Sequence, residues 1–248
     1  MTHTLALCLD APMQSWGLRS RFQSRDTAQE PTKSGVIGLL AAALGIARDK
    51  DDEVQELAKA RMGVRVDREG LVERDYHTVN RVPNTEGKAH RTAVSHRYYL
   101  ADAVFLVALE HEDRAELLRW HATLNDPVWP IYFGRKAFVP ARPLVSPEAD
   151  SSLLGVTEQS AADVLAEHGW LENRTKDRDS TTKAVSHGEE RSLRTLIDTG
   201  PDDEIAEPRR DVPVSFHPRN RLYGTRSVRP GHVQLTESMI HAGAHLCT

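Results

Sequence analysis

Cysteine is nearly missing from this chain: Cys8 and Cys247 are the only two in 248 residues, and they stand near opposite ends. A disulfide framework and a four-cysteine zinc site are therefore both excluded. No run approaches the roughly 18 uncharged apolar residues that a membrane helix requires. The apolar start, Met1 to Asp10, is short and alternating, and it lacks a basic beginning and a cleavage site. It reads as a strand rather than a secretory signal, and a soluble cytoplasmic protein is expected. Nucleotide-loop spacings are absent too, since the glycines at 35, 38 and 45 fit neither G-x-G-x-x-G nor a Walker pattern. There is no paired-carboxylate nuclease signature, no Ser-His-Asp order, no H-E-x-x-H and no internal repeat. His241-x-x-x-His245 with Cys247 has helical ligand spacing but occupies the chain end, so neither a metal nor any other cofactor is expected.

What is present suits a globular protein of one large domain, or one with a small appendage: 39 % hydrophobic and 27 % charged residues. The net charge of −4 taken alone argues against nucleic-acid binding, but its distribution argues the other way. From Arg74 to Arg97 the cations Arg74, Arg81, Lys88, Arg91 and Arg97 face only Asp75 and Glu86. From Pro208 to His232 the six arginines 209, 210, 219, 221, 226 and 229 face only Asp211. Acid collects instead at 49–56, 148–167 and 198–207. Segregated charge permits a basic face on an acidic body, and a phosphate responds to that local potential. Ordinary solvated surface is the alternative for any single run.

Along the chain, Thr4 to Asp10 forms a first strand and Ser20 to Glu30 a polar loop. Thr32 caps a helix through Lys33 to Leu44 that is apolar on most faces and must be buried. A short acidic helix at Asp51 to Ala60 and a strand at Met62 to Val66 follow. Asp75 to Tyr99 places two extended arms around Pro83, Asn84 and Gly87, the pattern of a long exposed hairpin. Ala103 to Leu109 is a buried strand, Arg114 to Thr123 an amphipathic helix, and Ala137 to Leu144 a final strand. This order is that of the split βαβ, ferredoxin-like arrangement common among RNA-binding modules. We therefore expect an α+β fold, with a domain over residues 1–147 carrying a hairpin at about 74–98. Residues 148–248 are expected to form a smaller, less regular and partly mobile region, charged from Glu172 to Glu207.

Three segments carry possible chemistry. The start of the first helix, with Lys33 and Ser34, offers free amides and a positive dipole end, suited to a phosphate or simply to a structural helix start. Tyr132-Phe133-Gly134-Arg135-Lys136 mixes aromatics with cations. It suits an approach to RNA, although Tyr132 and Phe133 in a core beside surface cations fit equally. The hairpin segment adds His77, His90 and His96 with Tyr76, Tyr98 and Tyr99, a set able to cleave RNA without metal if the side chains converge.

Five collinear stretches resemble one family. They are Ala11-Pro12-Met13-Gln14-Ser15-Trp16-Gly17, Pro31-Thr32-Lys33-Ser34-Gly35-Val36-Ile37-Gly38-Leu39-Leu40, Arg74-Asp75-Tyr76-His77-Thr78-Val79, Arg97-Tyr98-Tyr99-Leu100-Ala101-Asp102-Ala103 and Pro130-Ile131-Tyr132-Phe133-Gly134-Arg135-Lys136. Together they resemble the fifth Cas family of CRISPR-associated proteins, in its type I-E Cascade form, over about residues 4 to 145. Beyond that the likeness thins to Pro208 to Thr225. The resemblance implies a RAMP-superfamily ferredoxin-like fold with a thumb hairpin, in a non-catalytic subunit that binds the 5′ handle of crRNA in antiviral defence. It implies contact with the CasC backbone, which the subunit caps, and with the large CasA subunit, and access to target DNA only through the complex. Subtype I-C relatives cut repeat RNA, so a metal-independent endoribonuclease is the alternative. The RNA-binding residues expected are Gln14, Trp16, Arg19, Arg21, Arg25, Lys33, Ser34, Arg74, Tyr76, His77, Arg81, Lys88, Arg91, Arg97, Arg135 and Lys136. Gln14 and Trp16 would shape the receiving loop, and Trp16 suits a core position equally.

Overall fold

The computed structural model describes residues 2–18, 24–84, 86–87, 90–151 and 153–244. In chain order, β1 (His3–Asp10), β2 (Met13–Gln14) and β3 (Ser24–Arg25) precede the helices α1 (Lys33–Ala43) and α2 (Asp51–Ala58). Next come β4 (Arg61–Arg68), β5 (Leu71–Pro83), β6 (His90–Ala101), β7 (Val104–His111) and α3 (Arg114–Asn125). The chain continues through β8 (Val156–Thr157), α4 (Ala161–Glu167), α5 (Thr175–Ser186), β9 (Ser192–Thr199), β10 (Glu207–Ser215), β11 (Leu222–Gln234) and α6 (Glu237–Ala244).

Seven strands form one sheet in the order β10-β11-β9-β4-β7-β1-β8, and every pairing in it is antiparallel. The continuous apolar runs of β1 and β7 follow from burial on both faces. Leu5, Leu7 and Leu9 with Phe105, Val107 and Leu109 enter the core under α1 and α3. The alternate residues, Ala6 and Cys8 with Leu106 and Ala108, enter a second core with Val164 and Leu165 of α4. Thr32 caps α1 as its sequence implies, its Oγ1 accepting from the Gly35 amide at 3.2 Å. The last carbonyls of α1, on Ala42 and Ala43, accept from the amides of Trp129 and Val128.

Three expectations require correction. Residues 137–144 are irregular rather than a strand; Pro140 and Pro143 remove backbone donors there, the Ala141 amide and Leu144 carbonyl bond to Asp10 and Cys8 of β1, and β8 pairs farther along the same edge. Nor does the chain divide at 147/148 in the sheet, because β9 pairs with β4 and extends the same layer through β11 to β10. The charged stretch from 172 to 207 contains α5 and β9 rather than irregular chain. Its α5 has no buried residue, so it shows none of the apolar periodicity that reveals a helix.

The hairpin is present and longer than expected. β5 and β6 pair from Leu71↔Ala101 to Pro83↔His90, with a bulge between Val79 and Val82. Arg81 sits in that bulge at φ 60°, a left-handed conformation. On its other side β6 is held near the base by β2, opposite Leu100 and Ala101, and by β3, opposite His96 and Arg97.

Candidate nucleic-acid interface

Register decides which hairpin side chains act together, since directly paired residues share a face and successive residues alternate. One face carries Asp75 opposite Arg97, with Arg25 of β3 beside Arg97 and Tyr99 two residues nearer the base. The other carries Arg74 opposite Tyr98 and Tyr76 opposite His96. The hairpin cations therefore do not form one surface. Arg91 lies beyond the bulge opposite Val82, while Arg74, Arg81 and Arg91 are all exposed.

Arg135 completes the first face. Its Nη2 donates to the Tyr98 carbonyl at 2.6 Å, and its guanidinium carbon lies 5.1 Å from the Phe138 ring centre. Burial is the main influence lowering its pKa; Arg97 and Arg25 lower it further, while Asp75 opposes them. Arg135 thus feels two further guanidiniums against one carboxylate. Among the described residues neither Arg25 nor Arg97 has a carboxylate within ion-pair distance, and Arg97 Nε donates to Ser95 Oγ at 3.2 Å. Excess positive charge at a half-open hairpin base is what a phosphate chain would neutralise.

The segment that supplies Arg135 is fixed from below. Phe133 is fully buried and packs 5.7 Å from Trp16 between ring centres, and its carbonyl accepts from the Ser15 amide at 3.0 Å. Gln14, also buried, donates to the carbonyls of Leu9 and Ala103 and accepts from Trp16 Nε1. Gln14, Trp16 and Phe133 are accordingly supports, and no base can stack on Phe133 as placed. Gly134 has φ +88°, and a Cβ there would collide with the Ser15 carbonyl oxygen. Gly134→Ala is expected to lower stability by about 1–2 kcal/mol from the left-handed conformation alone, with the collision adding to it. It should also displace Arg135 from the hairpin base. Urea unfolding checks the loss of stability, and an unchanged midpoint would count against it.

Lys33 departs most from its expected role. It is 6 % exposed, its Nζ lies 2.8 Å from Asp198 Oδ2, and its amide donates to Asp211 Oδ2 at 2.8 Å. The phosphate position at the start of α1 is taken by an internal carboxylate. Ser34 is half-buried, with its hydroxyl 3.4 Å from Thr32 Oγ1. Burial pushes the Asp211 carboxyl up, but Arg226, the Lys33 amide and Arg209 outweigh it and hold the pKa below the usual range. Arg226 bridges Asp211 and Asp198, while Arg209 pairs with Glu30 and Arg229 with Asp203. Half of the basic run from 208 to 232 is therefore neutralised by acids distant in sequence. Lys33 and Arg226 line a cleft of about 470 Å³ with Lys59, Arg61 and Asp198.

His77 is half-buried, Lys136 is exposed, and Arg19, Arg21 and Lys88 lie outside the described residues. Asp75, which moderates the arginine cluster, was not among the expected site residues. Its place opposite Arg97 depends on strand register, which the sequence does not state.

A profile of the family described as CRISPR-associated protein (Cas_Cas5) matches residues 4–229. The chain is 36 % identical over 157 residues to the CRISPR system Cascade subunit CasD of Escherichia coli, covering 58 % of this chain and 70 % of that one. It superposes with a TM-score of 0.75 and 29 % identity on a chain of a CRISPR RNA-guided surveillance complex, covering 95 % and 92 % of the two chains. A Cas protein of known crystal structure gives a TM-score of 0.67 at 35 % identity, with 93 % and 95 % covered. With the family profile matched over residues 4–229 and the fold matched over 95 % of its length, the chain belongs to the Cas5 family of CRISPR-associated proteins.

Proposed function

We propose that this protein is a non-catalytic crRNA-binding subunit of a type I-E Cascade complex, acting in the cytoplasm. It holds the 5′ handle of the guide RNA and caps the CasC backbone, sits beside the large CasA subunit, and meets target DNA only through the assembly. The observation that carries this reading is the cluster at the hairpin base, where strand register sets Arg25 and Asp75 on either side of Arg97, and where Arg135, which donates to the Tyr98 carbonyl, feels both other guanidiniums. The fold supports it as well. β1, α1, β4, β7, α3 and β8 follow one another with the strand order β8-β1-β7-β4, the order of a ferredoxin-like split βαβ. In this reading the β5–β6 hairpin is the thumb.

The same register weighs against RNA cleavage. His77 and His96 fall on opposite faces of the hairpin, and His90 stands six residues along β6 from His96, roughly 20 Å in an extended strand. A general acid and base must both reach one ribose-phosphate, which this spacing opposes. The test is incubation of the purified chain with labelled repeat RNA in EDTA, read on denaturing and native gels. Intact RNA with handle-dependent retention is expected. A discrete cut within the repeat would overturn the non-catalytic assignment.

A further inference from the structure

The β5–β6 ribbon lies in a different sheet from β4 and β7, the strands it continues. Those two strands pair as far as Arg68 opposite Val104, and pairing resumes in the ribbon at Leu71 opposite Ala101. Between these points each chain turns a corner on one left-handed residue, Gly70 at φ +71° and Asp102 at φ 58°. A Cβ at Gly70 would lie 2.6 Å from the Ala101 carbonyl oxygen, so that corner needs glycine. Asp102 holds a conformation disfavoured for most residues with a side chain, and its neighbours fix it there. Its amide donates to the Pro12 carbonyl at 3.1 Å, and its carbonyl accepts from Arg68 Nε. Arg68 therefore stands at one corner and bonds to the other. Its Nη1 pairs with Glu172 Oε1, a carboxylate 104 residues along the chain, and lies 3.3 Å from Asn173 Oδ1. Its Nη2 lies 3.6 Å from Asp10 Oδ1. Glu172 is 3 % exposed, and the same Oε1 accepts from the Arg174 amide at 2.9 Å. Arg174 immediately precedes α5, and Arg178 within α5 donates to the Glu172 carbonyl at 2.9 Å. Among the described residues, β2, β3 and Arg135 hold the ribbon along β6, while β5 pairs with no strand on its outer edge. A ribbon held along one strand can turn about that strand, and the two corners are what oppose the turn.

We propose that Glu172 is a positioning residue for the hairpin: acting through Arg68, it sets the angle at which the ribbon leaves the sheet and ties that angle to the start of α5. The charge-assisted bond to Glu172 aims the guanidinium so that Nε meets the Asp102 carbonyl. Without that carboxylate the guanidinium turns toward Asp10, which Arg142 already holds at 3.0 Å. The Asp102 corner then loses the donor on its carbonyl. Direction is measured on the free chain, so this assignment stands or falls apart from RNA binding.

The experiment uses the full chain spin-labelled at Thr92→Cys on β6 and Ala122→Cys on α3, both exposed positions, with Cys247→Ser; Cys8 is buried and takes no label. Double electron–electron resonance is expected to give one narrow distance for this parent. Glu172→Gln, which keeps the side-chain shape and removes its charge, should broaden that distance. The Asp102 amide should then exchange with solvent roughly 10- to 100-fold faster, as loss of a charge-assisted bond implies. Arg68→Lys keeps a cation between Asp10 and Glu172 but lacks the guanidinium fork. It should broaden the distance in the same way with a smaller fall in unfolding midpoint, and it carries the test should Glu172→Gln not fold. Asp211→Asn removes a similarly buried carboxylate near the far edge of the main sheet, so it should lower the midpoint and leave the distance narrow. A parent-like distance in either Glu172→Gln or Arg68→Lys would overturn the assignment. Equal broadening in Asp211→Asn would overturn it too, because the hairpin would then report only a looser fold.

Discussion

Replacing Asp67 with alanine is expected to destabilise the protein by about 3–5 kcal/mol, the range for removing one partner of a fully buried ion pair. Arg65 and Asp67 both have side chains with no exposure. All five guanidinium N–H groups are placed. Nε and Nη2 donate to the two Asp67 oxygens at 2.6 and 2.9 Å, Nη1 to the carbonyls of Leu165 and His168, and Nη2 also to that of Gly169. Asp67 in turn accepts from the Leu171 amide at 2.7 Å, and its backbone carbonyl accepts from Trp170 Nε1. One ion pair on β4 thus fastens the segment after α4 to the sheet. Alanine at 67 leaves a guanidinium out of water with no counter-charge, which is the expensive half of the arithmetic; the intact pair contributes far less relative to an apolar substitute. For a chain of this length the loss corresponds to a melting point lower by on the order of 10 °C. Urea unfolding followed by circular dichroism measures it. A loss under about 1 kcal/mol would mean that water or a rearranged carboxylate reaches Arg65, contrary to the packing.

Legibility in the sequence followed the range of the interactions involved. β1, α1, β7 and α3 announce themselves through apolar period and capping residues, both local features, and the hairpin through Asn84 and Gly87 between two extended arms. Family membership was legible from five collinear motifs. The structure shows why some of those motifs are as they are: Gln14, Trp16, Phe133 and Gly134 build the support beneath Arg135. Hidden from the sequence were properties that depend on partners far along the chain. Lys33 looks like a phosphate ligand until Asp198 and Asp211 arrive from β9 and β10. Likewise, the run from 208 to 232 looks like a basic patch until Glu30, Asp198, Asp203 and Asp211 neutralise three of its arginines. The placement of β9 beside β4 is of the same kind, since nothing in either strand names its neighbour. Counting charge along the chain overstated the C-terminal run, and it could not show that strand pairing sets Arg25 beside Arg97.

That contrast gives the second large effect. The double substitution Arg25→Ala with Arg97→Ala is expected to weaken handle binding roughly 10- to 1000-fold at moderate salt, since each charge-assisted contact contributes about 1.5–3 kcal/mol before losses to rearrangement. It should also flatten the plot of log affinity against log salt by about 1.4, from two single-strand phosphates at about 0.7 each. Arg135→Ala should act in the same direction while also losing the bond to the Tyr98 carbonyl and the contact with Phe138, so its unfolding midpoint must be measured alongside. Lys136→Ala removes an exposed cation from the same loop without those internal contacts, and it should lower the slope by at most about 0.7. Arg229→Ala provides the decisive comparison. Arg229 belongs to the more basic of the two runs, yet it lies 2.5 Å from Asp203, and its hydrogen bond is the main reason that carboxyl is held down at about 2. A cation already matched by a carboxylate releases no counterion when RNA arrives, so its loss should leave the slope unchanged. Equal slopes for the Arg229 and Arg25/Arg97 variants would mean that bulk charge governs binding, and the arginine cluster would lose its claim to be the site.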